Sequence, residues 1–161
     1  MAIVSAFIGL AGAGSAWAEC TDRGEPNVDW RGCYFDRQDL KSIDLTGARL
    51  RDASFKRAEL AGAILSKADA FRAKFVSAKL PKAKFDGARL AEADLTKADL
   101  TGASFRNADL RRARLLRAVL RGADMSGANM RGADILKADL TGATWTDGKR
   151  VCAEGSIGEC R

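Results

Sequence analysis

The sequence predicts an all-β fold of the solenoid kind, a chain coiled around its own core, on three observations. From Ala48 to Ala143, every position ending in 3 or 8 is alanine. From Phe35 to Trp145, every position ending in 0 or 5 is Leu, Phe, Met, Ile or Trp, Ala70 excepted. The phase never slips across the 23 pentapeptides of residues 33–147. On an α-helix a step of five residues advances about 500°, a net 140°, which scatters the large residues around the axis. In a flat strand the alanine and the leucine two residues on share a face, but the next pair points the opposite way. All pairs face inward only if the chain bends once per pentapeptide. Successive coils then pair as parallel ladders about 4.8 Å apart.

The N-terminal segment 1–18, MAIVSAFIGLAGAGSAWA, is apolar and ends in Ala16-Trp17-Ala18, the small-x-small pattern of a signal-peptidase site. It is short for a membrane span, and polar sequence starts at Glu19. The reading is a cleaved signal peptide and a periplasmic or secreted mature chain from residue 19, although no Lys or Arg precedes the apolar run. Glu19 before Cys20 does not suit a lipoprotein signal.

Residues 19–32, with Trp30, are placed to cap one end of the solenoid, and 148–161, with Val151, the other; open ends expose core and unpaired strand edges. The four cysteines, Cys20, Cys33, Cys152 and Cys160, flank the repeats. An even number in an exported chain argues for disulfides. Of three possible connectivities, local pairing, Cys20–Cys33 and Cys152–Cys160, is preferred because the repeat block holds the two pairs apart. Zinc is rejected: the chain has no histidine and neither pair has the close spacing of a zinc knuckle.

The unit A(D/N)Lxx, as in Ala93-Asp94-Leu95, Ala98-Asp99-Leu100, Ala108-Asp109-Leu110 and Ala138-Asp139-Leu140, resembles the pentapeptide-repeat family over the whole of residues 33–147. The resemblance implies a right-handed quadrilateral parallel β-helix, with four pentapeptides per coil and about six coils. Residues 20 apart then stack. One column of centres reads Phe35, Phe55, Phe75, Leu95, Leu115, Ile135; another reads Leu45, Leu65, Phe85, Phe105, Met125, Trp145. These aromatics are read as core.

No catalytic residue, metal site or cofactor is expected. Histidine chemistry is absent, and the aspartates lie on a convex rod with no pocket to exclude water. Asp94, Asp99, Asp109, Asp124, Asp134 and Asp139 read as surface solvation and turn hydrogen bonding rather than as acid–base pairs.

The net charge of +6 favours an anionic partner. With four sides assigned, the side centred on Phe35 through Ile135 carries eight basic and three acidic residues, net +5. The side centred on Leu50 through Met130 carries seven and four, net +3. The other two are close to neutral. Arg37, Arg57, Lys97, Arg117 and Lys137 form one column of the Phe35 side, broken by Ser77, beside outward Val76, Leu116 and Leu136, with Val119 around the corner. Like charges one rung apart repel by up to about 1 kcal/mol before screening. The column therefore reads either as a docking surface or as the chance result of a basic-rich position.

Phe71 stands outward beside Ala70, either under Arg51 or repacked inward. The function expected is a non-catalytic exported interaction module. It docks an acidic protein or an anionic lipid or lipopolysaccharide, or dimerises, through these basic faces. The alternative, topoisomerase modulation by DNA mimicry, comes from the family resemblance; the positive charge and the leader oppose it. Direct nucleic-acid binding is not expected, because exposed aromatics do not interleave with the basic residues.

Overall fold

A computed structural model describes residues 20–21 and 23–161; the signal-peptide segment 1–18 lies outside them. Among the described residues there is no helix. Each pentapeptide places one residue in a parallel bridge with the residue 20 positions on, from Asp29↔Arg49 to Asp124↔Thr144. A pairing step of 20 with a bend every five residues defines four sides. The columns beginning at Tyr34, Asp39 and Asp44 each contain six rungs.

The bend is a β-turn closed by the alanine N–H, which donates to the carbonyl of the preceding large residue, as from Ala58 to Phe55 at 3.1 Å. The second residue after the large centre has positive φ in repeat after repeat, for example Arg57 at 58° and Gly62 at 67°. Positive φ at the third turn position only is the type II signature, which favours glycine there. Fourteen repeats nevertheless carry a non-glycine residue at that place, each at roughly 1 kcal/mol or more of conformational cost. The ladder overdetermines them: the same N–H donates to the next coil, as from Arg57 to the Val76 carbonyl at 3.0 Å.

Backbone donors explain the aspartates. Within a pentapeptide, four N–H groups are taken by the two coil-to-coil bonds, the turn bond and the stacked turn. The fifth belongs to the residue after the large centre, and the Asp or Asn before that centre accepts it. Thr46 N–H donates to Asp44 Oδ1 at 2.9 Å, Thr96 to Asp94 at 3.0 Å and Leu136 to Asp134 at 3.0 Å. Where serine replaces the aspartate, an acid from the previous coil substitutes. Lys56 N–H donates to Asp36 Oδ1 at 2.9 Å and Ser54 Oγ to the same oxygen at 2.6 Å. Ser104, Arg106 and Asp86 repeat the arrangement.

Inside, alanine and the large residue fill the coil; Leu45 through Leu120 are wholly buried. The aromatic columns stack as their spacing predicts, Phe55 on Phe75 at 5.1 Å and Phe85 on Phe105 at 5.0 Å. Val28 and Trp30 carry the repeat phase into the N-terminal segment, and buried Trp30 closes the phenylalanine column, 4.0 Å from Phe35. At the other end the ladder turns antiparallel, Asp139↔Ile157 and Thr144↔Val151. Val151, assigned to that cap, pairs with outward Thr144 and shares its solvent face, so buried Cys152 and Ser156 fill the opening instead. Cys20 is bonded to Cys33 and Cys152 to Cys160, with Cα separations of 5.5 and 4.8 Å. Each bridge has one cysteine in the core, Cys33 or Cys152, so each ties a terminal segment to the end of the coil.

Candidate functional site

Charged side chains of this rod project from three places in each pentapeptide: just before the large centre, just after it, and at the left-handed turn position. Acidic residues concentrate at the first, where the turn needs an acceptor. The ion pairs that form join a basic residue to an acid 2, 18 or 20 positions away, although that spacing alone does not make a pair. Arg37, Arg57, Lys97 and Lys137 each lie two residues before an acid, and Lys74 lies twenty before Asp94. Arg111 forks onto Asp109, Nε to Oδ1 at 2.8 Å and an η nitrogen to Oδ2 at 2.7 Å. Arg106 reaches Asp124 at 2.6 Å across a coil, and Arg114 reaches Asp94 at 3.3 Å along a column.

This geometry separates the two basic sides. On the Leu50 side Arg49, Arg51, Arg72, Arg89, Arg111 and Arg112 all lie within 4 Å of a carboxylate, leaving Arg131. The guanidiniums hold Asp29 and Asp109 below the usual carboxylate range, the Arg31 and Arg111 hydrogen bonds being the largest causes. On the Phe35 side only Arg114 has such a partner. Among the described residues Arg37, Lys56, Arg57, Lys74, Lys97, Arg117 and Lys137 make no ion pair. Five of them occupy the left-handed position, where their neighbours 20 residues away are each other or Ser77.

The turn position sets both basic sides apart from the other two; on the Leu50 side Asp52, Arg72, Glu92 and Arg112 hold it, with glycine at 132. On the Leu40 and Leu45 sides glycine fills it at 47, 62, 87, 102, 122, 127 and 142. On the Phe35 side it is never glycine: Arg37, Arg57, Ser77, Lys97, Arg117 and Lys137 have φ of 62°, 58°, 56°, 58°, 57° and 58°. The short Ser77 side chain interrupts the column, and a groove of about 320 Å³ opens there, lined by Asp36, Arg37, Lys56, Arg57, Val76 and Ser77.

The apolar residues expected beside the column are not equally presented. Leu136 is 60 % exposed, whereas Val76, Leu116 and Val119 are half-buried. Leu116 has Leu136 on the next rung, and Leu136 sits on the last coil with no further repeat to follow it. The exposed cluster shrinks to Leu136 with the edge of Leu116. Phe71 stays on the outside and only half-buried, with the Arg51 guanidinium over its ring at 5.3 Å and that of Arg72 at 5.9 Å; Ala70 takes the core place alone. The sequence reading did not find the neutralisation of the Leu50 side. Spacing alone would not have found it, because Arg37, Arg57, Lys97 and Lys137 also lie two residues from an acid and yet make no ion pair.

Residues 39–75, 71–107 and 108–144 match the family model described as pentapeptide repeats, in 8 copies. The solved structure of HetL, a pentapeptide repeat protein involved in heterocyst differentiation regulation in the cyanobacterium Nostoc sp. strain PCC 7120, is similar at 30 % identity. That match covers 79 % of this chain and 73 % of HetL, with a TM-score of 0.47. A trypsin-treated variant of QnrB1, a plasmid-mediated fluoroquinolone resistance protein, is similar at 27 % identity and a TM-score of 0.61, over 74 % of this chain and 62 % of that one. A second trypsin-treated variant matches at 26 % identity and a TM-score of 0.62, over 73 % and 60 %. The chain thus spans about three-fifths of the QnrB1 chains it resembles. No curated protein sequence matched the chain.

Proposed function

The chain belongs to the pentapeptide-repeat family, whose members fold as right-handed quadrilateral β-helices, and from that premise we propose that it is a non-catalytic, exported interaction module that docks an anionic partner through its Phe35 side. Members of the family are generally non-enzymatic scaffolds. One observation carries the reading. Five basic side chains, Arg37, Arg57, Lys97, Arg117 and Lys137, stack at left-handed turn positions that favour glycine, and no acid answers them. Folding gains nothing from that arrangement, which combines backbone cost with like-charge repulsion. An external anion removes the second penalty. Leu136 and the edge of Leu116 add apolar contact at one end of the column.

The occupant is an acidic protein surface or the anionic headgroups of lipid or lipopolysaccharide. The leader at 1–18 places the encounter outside the cytoplasm. The test is a photo-crosslinking residue placed in living cells at position 116, and separately at position 126 on the near-neutral Leu45 side. A specific adduct at 116 and none at 126 supports docking, and the adduct's mass names protein, lipid or a second copy. Equal labelling at both, or none at either, overturns the reading. The mass of the exported chain, beginning at Glu19, checks the leader.

Likeness to QnrB1 brings a second reading, action on a DNA topoisomerase, as known for some family members. A DNA mimic needs negative charge, and this chain carries +6. Topoisomerase inhibition by the purified mature chain would reinstate it.

A further inference from the structure

The Leu50 side has a groove of about 490 Å³ lined by Phe71, Ala91, Glu92, Arg111, Arg112, Arg131 and Gly132. Its floor exists because the residue after the large centre is small at Ala91, where the same column has Phe71 one rung before, Arg111 one rung after and Arg131 beyond it. We propose that this groove is a binding slot for a planar aromatic anion, an aryl phosphate or aryl carboxylate, whose ring stacks between Phe71 and Arg111 over Ala91 while its anionic group meets Arg131.

Four features support this. First, the spacing has room for one ring, with roughly 2 Å to be closed by movement of the Arg111 or Phe71 side chain. Phe71 and Arg111 are two rungs apart, about 9.6 Å at the ladder repeat, and a ring held between two partners needs two contact distances, about 7–8 Å. Second, Phe71 is held ready. Arg51, one coil before, lies over the ring at 5.3 Å and is itself paired with Asp69 at 3.2 Å. The neighbouring Arg72, paired with Asp52, lies 5.9 Å from the ring centre and has to give way to a stacked ligand if it covers the groove face. Third, the two-point bond to Asp109 fixes the Arg111 guanidinium as a flat partner, at 2.8 and 2.7 Å. Fourth, among the described residues Arg131 has no ion pair, and Arg112 meets Glu92 only at 3.8 Å. Of the three guanidiniums at the groove, Arg111 is paired with Asp109 and Arg112 with Glu92, which leaves Arg131 for an incoming anion, and Glu92 at the edge disfavours a dianion that extends toward it.

This site lies on a different side from the docking column, so the two proposals stand or fall separately. The test titrates the folded mature chain with 2-naphthyl phosphate and follows backbone amide shifts, with 2-naphthol and inorganic phosphate as single-feature probes. The expected result is saturable shifts centred on residues 71, 91, 111 and 131, with affinity at least tenfold above either single-feature probe. Ala91→Phe fills the slot and extends the aromatic column; it abolishes binding with no fall in melting temperature. Arg131→Gln weakens binding about tenfold. Unchanged binding in Ala91→Phe, shifts spread along the rod, or equal affinity for naphthyl phosphate and inorganic phosphate each overturn the proposal.

Discussion

The Phe35 and Leu50 sides carry eight and seven basic residues, yet six of the seven on the Leu50 side meet a carboxylate and one of the eight on the Phe35 side does. A count of charges therefore does not describe the field of a solenoid. What matters is the column in which each charge stands. Arginine just after the large centre, as at 111, lies two residues from the turn-capping acid and folds back on it. Arginine or lysine at the left-handed position meets only its own column, where Arg72 and Arg112 find Asp52 and Glu92 but the Phe35-side residues find each other and Ser77. The composition of that column therefore decides whether the charge is left for something else.

The largest expected effect tests whether the two sides differ below the surface. Leu110→Ala and Leu115→Ala empty wholly buried places behind the Leu50 and Phe35 sides respectively. Each should cost about 2–5 kcal/mol in urea unfolding, and by similar amounts. A gap of several kcal/mol between them would mean that the contrast reaches into the core.

Next comes charge reversal. Lys97→Glu, Arg117→Glu and Lys137→Glu together should cut the crosslink yield at position 116 at least tenfold, with melting temperature held or raised as like-charge repulsion is relieved. Arg49→Glu, Arg89→Glu and Arg111→Glu together should leave that yield nearly unchanged. They should lower the melting temperature, because Asp29, Asp69 and Asp109 then face like charge. Exchanged outcomes would reverse the roles given to the two sides.

A smaller effect lies in acid. The Arg111 hydrogen bond holds the Asp109 carboxyl below its ordinary value of 3.8. A depressed folded-state pKa contributes stability that is complete above the unfolded value and is lost as pH falls through the folded one. Asp109→Asn should therefore lower the melting temperature at pH 6 by roughly 1–3 °C, the range for a surface pair in a chain of this size. It should converge with the unsubstituted chain near pH 2. A constant offset down to pH 2 would assign the loss to the turn hydrogen bond alone.

The smallest change completes the column. Ser77 already has φ of 56°, a conformation that Lys67, Lys82 and Lys97 also hold. Ser77→Lys should shift stability by no more than about 0.5 kcal/mol and raise the crosslink yield at 116. A fall in yield would show that the groove at Ser77, rather than the continuous column, receives the partner.

Much of the site was legible before the fold was seen. The five-residue period turned Arg37, Arg57, Lys97, Arg117 and Lys137 outward, the family resemblance with its four sides put them in one column, and among the described residues they make no ion pair. The apolar half was less legible. Leu116 and Leu136 have the same place in the repeat, but Leu136 ends its column and Leu116 does not, so only Leu136 is fully presented. Val151 illustrates a related limit: the register of the C-terminal return pairs it with outward Thr144, and Cys152 rather than Val151 enters the core.

The sequence by itself determined a coil bent every five residues and the outward direction of its charges, because one bend per five residues leaves a periodic chain no other way to bury alanine and leucine together. The four columns followed from the family resemblance, and the pairing of residues 20 apart shows them. Only the tertiary structure decided which charges are spent within the molecule. Arg51 meets Asp69 and Arg106 meets Asp124 across 18 residues, and Ser54 and Lys56 share Asp36. Those meetings depend on which coil a side chain leans toward. The backbone period does not encode that choice, and the packing of neighbouring rungs settles it.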